Sequence, residues 1–325
     1  LSSASASASA ESSAATEEDE NEVDESRYDL SLFSPCKINL FLRIIRKRPD
    51  GFHDLASLFQ TVGFGDMLYL KKLSSSDDDA DDDDADDKFE CNMEGVPTDR
   101  TNLVLRALDL VRTKTGNEDV KFEANLVKRV PAQAGLGGGS GNAAAAMYGA
   151  NELLGRPATH EQLVEWSADL GSDITFFLSC GTAYCTGRGE IMTPVKAPFD
   201  FSPGGTKLTI VKPDVGLSTP KVFGALKYDE LSEADPEELL SLFLEKGVDG
   251  CGDDAYVNDL EQPAFDCLPE LRELKEELVK VEGFDHVMMS GSGTSIFCIG
   301  EPADEEGFMK EFGERDGLNV FATDF

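Results

Sequence analysis

No apolar run in this 325-residue chain approaches 18 residues, so nothing in it reads as a membrane-spanning helix. Basic residues are scarce too: 29 lysines and arginines stand against 63 aspartates and glutamates, for a formal net charge of −34. Roughly half of that excess is local, because residues 1–27 hold eight acidic groups against one arginine and residues 77–87 hold nine aspartates. The rest of the chain is still acidic and has no basic stripe to neutralise phosphates, which argues against nucleic-acid or anionic-membrane partners. The seven cysteines follow no metal-ligand spacing, the closest pair being Cys180 and Cys185. An odd number of scattered thiols in a chain this long reads as reduced cysteine in a reducing compartment. Two familiar phosphate motifs are also missing. No Gly-Lys-Ser/Thr follows the glycine cluster at 135–141, and Gly135-x-Gly137-x-x-Ser140 lacks the third glycine of the dinucleotide fingerprint.

What is present is the cluster itself, Gly135-Leu136-Gly137-Gly138-Gly139-Ser140-Gly141-Asn142. Upstream, residues 121–130 alternate apolar and charged side chains as a half-buried strand does, and Pro131 ends the run. Downstream, four alanines from Ala143 to Ala146, then Met147, Tyr148, Leu153 and Leu154, predict a buried helix starting near Ser140 or Asn142. A flexible linker would not open at once into such a helix. Glycines let the backbone take positive φ and let an anion reach the amides, which the helix dipole favours further. Pro131, Gly135 to Gly139, Ser140, Gly141 and Asn142 are therefore the candidate phosphate cradle.

Residues 1–27 are serine, alanine and acid with almost no large apolar side chain, and are expected to be disordered. Leu1 in place of methionine suggests a processed precursor, from which a targeting peptide has been removed. Residues 74–88, with the aspartate run, read as a solvated insertion between strands near 67–73 and 89–93. The run lacks the alternating ligands and turn glycine of a calcium loop. The ordered part is expected from Tyr28, with strands at 28–33, 38–45 and 58–62, helices at 102–113 and 160–170, and a strand at 182–186. A second set follows near residue 206, with helices around 220–226, 236–246 and 268–281 and strands at 286–289 and 295–299. Mixed elements of this kind give an α+β protein with two domains, 28–200 and 201–325.

Three further segments carry chemistry-bearing residues. Ser34-Pro35-Cys36-Lys37-Ile38-Asn39 puts a lysine and an asparagine on one face of a strand, though a strand lysine is commonly just solvated. Arg48-Pro49-Asp50-Gly51-Phe52-His53 is a tight turn presenting an aromatic ring beside a histidine, which by itself is more often structural. Leu170-Gly171-Ser172-Asp173 puts an aspartate ahead of an apolar run, where a helix-capping role is open. Ser290-Gly291-Ser292-Gly293 forms a second small-residue turn between two strands.

These segments, in this order, resemble the GHMP small-molecule kinases, and residues 34–60 are similar to the branch acting on 4-diphosphocytidyl-2-C-methyl-D-erythritol. The resemblance implies a two-domain fold with the active site in the interdomain cleft, ATP and Mg2+, and phosphorylation of the substrate's 2-hydroxyl in non-mevalonate isoprenoid synthesis. It implies Asp173 as catalytic base with Lys37 as its partner. Asn39, Phe52 and His53 fall at the cytidine end, with Thr219 and Phe223, and Ser290 to Gly293 support the phosphate loop. It also implies plastid stroma, with bacterial cytoplasm as the alternative. Other readings are a sister kinase for mevalonate, homoserine or a sugar, or a non-catalytic nucleotide-binding regulator. The family commonly has serine where Gly141 stands; ATP binding through the backbone amides is expected to persist, with an effect of the lost hydroxyl on nucleotide affinity or magnesium geometry left open. No feature specifies an oligomeric state.

Overall fold

The computed structural model describes residues 23–73, 86–179, 181–199 and 205–325. Most of both acidic tracts, and Cys180 with its candidate pairing, lie outside them. The N-terminal half forms one sheet from β1 (Leu30–Lys47), β2 (His53–Lys72), β3 (Lys88–Cys91), β4 (Phe122–Val127), β5 (Thr182–Gly187) and β6 (Ile191–Pro194). Its order is β3-β4-β2-β5-β6, with β1 antiparallel to β2. Helices α1 (Leu103–Thr115), α2 (Gly138–Leu153), α3 (His160–Ser167) and α4 (Ser172–Ser179) complete this half.

The C-terminal half has β7 (Lys207–Pro213), β8 (Phe284–Met289), β9 (Ile296–Gly300) and β10 (Leu318–Asp324) in the order β10-β7-β9-β8. Its helices are α5 (Thr219–Gly224), α6 (Pro236–Lys246), α7 (Glu261–Cys267), α8 (Pro269–Leu278) and α9 (Glu305–Phe308). Mixed α and β elements in two sheets agree with the expected α+β class.

The two long strands differ from expectation. Strands expected separately at 28–33 and 38–45 form one strand that runs through Pro35, because register shifts between Pro35 and Lys37 and pairing of Pro35 with Gly65 put the proline at an irregularity. Proline without an N–H is tolerated at such a bulge. A Cβ at Gly65 would stand 2.4 Å from the Ser34 carbonyl, so glycine permits this close pairing.

One hydrophobic cluster spans both halves. Ile38, Leu40 and Leu58 of the first sheet share a cluster with Leu208 and Ile210 of β7, Phe243 of α6 and Phe297 of β9. Fully burying each such side chain stabilises by about 1.5–3 kcal/mol, so the halves hold one another. A second cluster packs α1 and α2 on the first sheet, where Ala143, Ala146 and Ala150 are fully buried and let the helix lie close.

The described ends of both acidic tracts make specific contacts. Residues 23–27, expected to be disordered, carry a short turn at Glu25–Arg27, with Arg27 paired to Glu123 at 3.0 Å and Tyr69 donating to Glu25 at 3.1 Å. Asp87, read as part of a solvated insertion, has a side chain shielded from solvent. Its two oxygens take both Arg112 terminal nitrogens at 2.6 Å, and one also accepts the Phe122 N–H at 2.9 Å. A composition rule cannot distinguish the last aspartate of a run from its neighbours; Arg112 does.

Candidate active site

The glycine loop is held in place from three sides. Gly135 and Gly137 adopt φ of +75° and +69°, and Gly137 caps α2 with no side-chain hydrogen bond, so the helix starts at Gly138, earlier than expected. The Lys37 N–H donates to the Leu136 carbonyl at 2.8 Å, tying the loop to β1, and the Ser295 N–H donates to the Ala134 carbonyl at 3.1 Å, tying it to the second small-residue turn. Ser290 Oγ donates to the Gly135 carbonyl at 3.1 Å. A Cβ at Gly135 would stand 2.2 Å from the Ser290 carbonyl, so the two turns approach as closely as backbones can. Gly141 faces the other way: a Cβ there would lie 2.7 Å from the Pro35 carbonyl and 3.0 Å from Ser34 Oγ. Its lack of a side chain serves helix-to-strand packing.

Three adjoining cavities form a continuous groove. The first, about 380 Å³, is lined by Pro131, Gly135 to Ser140, Asn142 and Lys128. The second, about 530 Å³, shares Gly135 and Gly137 with it and adds Lys37, Asn39, Asp173, Thr219 and Gly291 to Gly293. The third, about 470 Å³, shares Leu55, Arg188, Thr219 and Phe223 with the second and adds Phe52, His53 and Ser172. The groove thus runs from the glycine loop, past a lysine and an aspartate, to an aromatic end.

Lys37 is buried, and its Nζ donates to Asn39 Oδ1 at 2.8 Å and to the Gly135 carbonyl at 3.0 Å, 4.9 Å from the Phe59 ring centroid. Burial lowers its pKa, and the negative charge of Asp173 opposes that shift. Asp173 sits in the first turn of α4, within the helix it was a candidate to cap. Asn39 departs from expectation. It is not at the aromatic end: its amide group bridges Lys37 to Ser57 Oγ, the latter at 2.8 Å, because residues two apart on β1 share a face. Asn39 orients the lysine.

Beneath the first cavity lies a polar network that sequence reasoning missed. Lys128 Nζ pairs with Asp66 at 2.5 Å and donates to Asn142 Oδ1 at 3.1 Å. Asn142 Nδ2 donates to Asp66 at 2.8 Å and to Ser34 Oγ at 3.0 Å, while Asp66 also accepts the Arg129 and Val130 N–H groups. Every member is partnered, as a buried polar cluster requires. Its only sequence signal was a basic pair just before Pro131.

At the aromatic end, the rings of His53 and Phe223 lie 5.1 Å apart. Thr219 Oγ1 and Ser292 Oγ are 2.9 Å apart, linking α5 to the second turn. Arg188, in the Gly187–Gly189 turn after β5, was also missed; its guanidinium sits 5.1 Å from the Phe52 ring centroid and lines two of the cavities.

Residues 102–181 match the family model of the GHMP kinases N terminal domain, and residues 233–315 that of the GHMP kinases C terminal. The chloroplastic 4-diphosphocytidyl-2-C-methyl-D-erythritol kinase of Oryza sativa subsp. japonica is 47% identical over 297 residues, covering 91% of this chain and 70% of that protein. The 4-diphosphocytidyl-2-C-methyl-D-erythritol kinase of Protochlamydia amoebophila (strain UWE25) is 43% identical over 305 residues, covering 93% and 96%. A crystal structure of 4-(cytidine 5'-diphospho)-2C-methyl-D-erythritol kinase superposes with a TM-score of 0.72 at 28% identity, over 90% of this chain and 98% of that one. Homoserine kinase from Cytophaga hutchinsonii, at 19% identity and a TM-score of 0.67, shares the fold. Agreement in sequence over nearly the whole chain, in both domain models and in fold shows that this chain belongs to the 4-diphosphocytidyl-2-C-methyl-D-erythritol kinase branch of the GHMP kinases.

Proposed function

We propose that the protein transfers the γ-phosphoryl group of ATP to the 2-hydroxyl of 4-diphosphocytidyl-2-C-methyl-D-erythritol. The observation that carries this reading is the single groove with Lys37 and Asp173 between the glycine loop and the aromatic end. A hydroxyl is a poor nucleophile, so the Asp173 carboxylate accepts its proton as the bond to phosphorus forms. The Lys37 ammonium offsets charge on the transferring group. The loop amides from Gly135 to Ser140 hold the ATP phosphates, with Pro131 and Asn142 at the edges of that site and Ser290 to Gly293 bracing it; Gly141, whose N–H bonds the Gly137 carbonyl inside α2, stands outside it. Mg2+ keeps several waters and binds mainly through phosphates; Ser140 of the phosphate cavity and Asp173 of the adjoining one are the oxygen-bearing residues that would hold it.

In this reading the cytosine lies against Phe52, His53, Thr219 and Phe223, and the substrate diphosphate falls beside Arg188. A charge-assisted hydrogen bond is worth about 1.5–3 kcal/mol, so Arg188→Ala raises KM for the cytidylyl substrate by roughly 10–100-fold and leaves KM for ATP unchanged. Equal losses in both KM values would remove Arg188 from the diphosphate. The assignment as a whole is tested by ADP release from purified protein with Mg-ATP: turnover of the cytidylylated methylerythritol, against none of mevalonate or homoserine, is the expected result. No turnover of the cytidylyl substrate would defeat it. The rice relative's name places that protein in chloroplasts, and plastid stroma is our reading for this chain; the Protochlamydia relative supports bacterial cytoplasm as the alternative.

A further inference from the structure

His53 opens β2 with its ring held by two residues of the C-terminal half. Phe223 lies 5.1 Å away on one side, and Tyr228, in the turn after α5, stacks at 6.1 Å with 17° between the planes. The Tyr228 hydroxyl and His53 Nε2 are 2.7 Å apart. That turn is anchored, because Lys227 pairs with Asp266 of α7 at 2.9 Å. Among the described residues, Nδ1 has no hydrogen-bond partner. Burial and the charge of Lys47 lower the His53 pKa, so the ring is neutral near pH 7–8 and carries one proton on one of its two nitrogens.

Which nitrogen carries it follows from the partner. A phenol is a far better proton donor than a neutral imidazole N–H, so the stronger arrangement has the Tyr228 O–H donating to the Nε2 lone pair. The ring proton is then on Nδ1. We propose that Tyr228 is a positioning residue for base recognition: by donating to Nε2 it fixes His53 in the Nδ1–H tautomer, so that the ring offers the bound base a donor and selects an acceptor on its edge. Cytosine has an acceptor at N3, where uracil carries N–H. The inference deepens the proposed function and rests on its placing of the base beside His53. Tyr228 touches no reacting atom; it acts through the histidine.

The chain has three histidines, so the imidazole nitrogens are resolved by 15N NMR of the full chain at pH 8, with His53→Gln identifying the His53 signals. The expected wild-type spectrum has a protonated Nδ1 and an unprotonated Nε2, and Tyr228→Phe, which keeps the ring, gives a tautomer mixture. A protonated Nε2 in the wild type, or an unchanged spectrum in the variant, overturns the proposal. Kinetically, Tyr228→Phe raises KM for the cytidylyl substrate by about 3–10-fold with kcat unchanged, lowers the preference over the uridylyl analogue, and adds nothing in a His53→Ala background. An equal KM rise in that background means that Tyr228 acts independently of His53, and the proposal fails. Wild-type protein that does not phosphorylate the cytidylyl substrate at all defeats the proposed function instead, while the spectrum still decides the tautomer.

Discussion

Asp173→Asn lowers kcat by about 10²–10⁴-fold, with KM for both substrates within a few-fold of wild type. Asparagine has the shape of aspartate and the same place in the first turn of α4, so the groove keeps its form while the proton acceptor is lost. The neighbouring charge balance changes too. Lys37 is buried, and the negative charge of Asp173 opposes the resulting fall in its pKa, so the variant also weakens the hold on the ammonium. Both effects act on the chemical step, and steady-state kinetics with a thermal melt separates them from misfolding. Activity within about fivefold of wild type would mean that the proton leaves by another route.

The second large effect comes from a single methyl group. Gly135→Ala must place a Cβ 2.2 Å from the Ser290 carbonyl and 3.2 Å from both the nitrogen and the carbonyl oxygen of Gly293, at φ of +75°. The left-handed backbone costs an L-residue about 1–2 kcal/mol, and overpacking adds about 1–3 kcal/mol. The expected outcome is a loss of about 2–5 kcal/mol, a melting temperature lowered by about 4–10 °C, and KM for ATP raised more than tenfold as the loop is pushed off its brace. Gly139→Ala is the contrast. Its Cβ meets nothing nearer than Leu103 Cδ1 at 3.8 Å and lies inside α2, so it leaves stability unchanged or raises it by up to about 1 kcal/mol. Calorimetry on the pair decides whether close approach, rather than glycine content, is what the loop requires; equal stability of both variants would refute the clash.

Local order was legible where chemistry is local. The glycine cluster between a strand and an alanine-rich helix was found from its flanks, and Lys37 and Asp173 came from motif order. What stayed hidden depends on strand pairing. The resemblance placed Asn39 at the cytidine end, but its side chain is set by the period of β1 and by Ser57 opposite. Asp66 and Lys128 are 62 positions apart, and only the pairing of β2 with β4 brings them under the loop. Arg188 and Tyr228 stand alone in turns, without a periodic pattern around them. Asp87 was indistinguishable from its neighbours because composition carries no information about which member of a run meets an arginine.

The Gly135 carbonyl takes one hydrogen bond from the Lys37 ammonium and one from the Ser290 hydroxyl. One oxygen therefore joins the nucleotide loop, the lysine and a turn that lies 155 residues away in the chain. The halves are accordingly not interchangeable parts. A chimera taking residues 205–325 from a distant relative would keep every residue of the first half, yet a changed turn would reset the acceptor that aims the lysine. A substitution in the second turn would therefore be felt at the lysine of the first half.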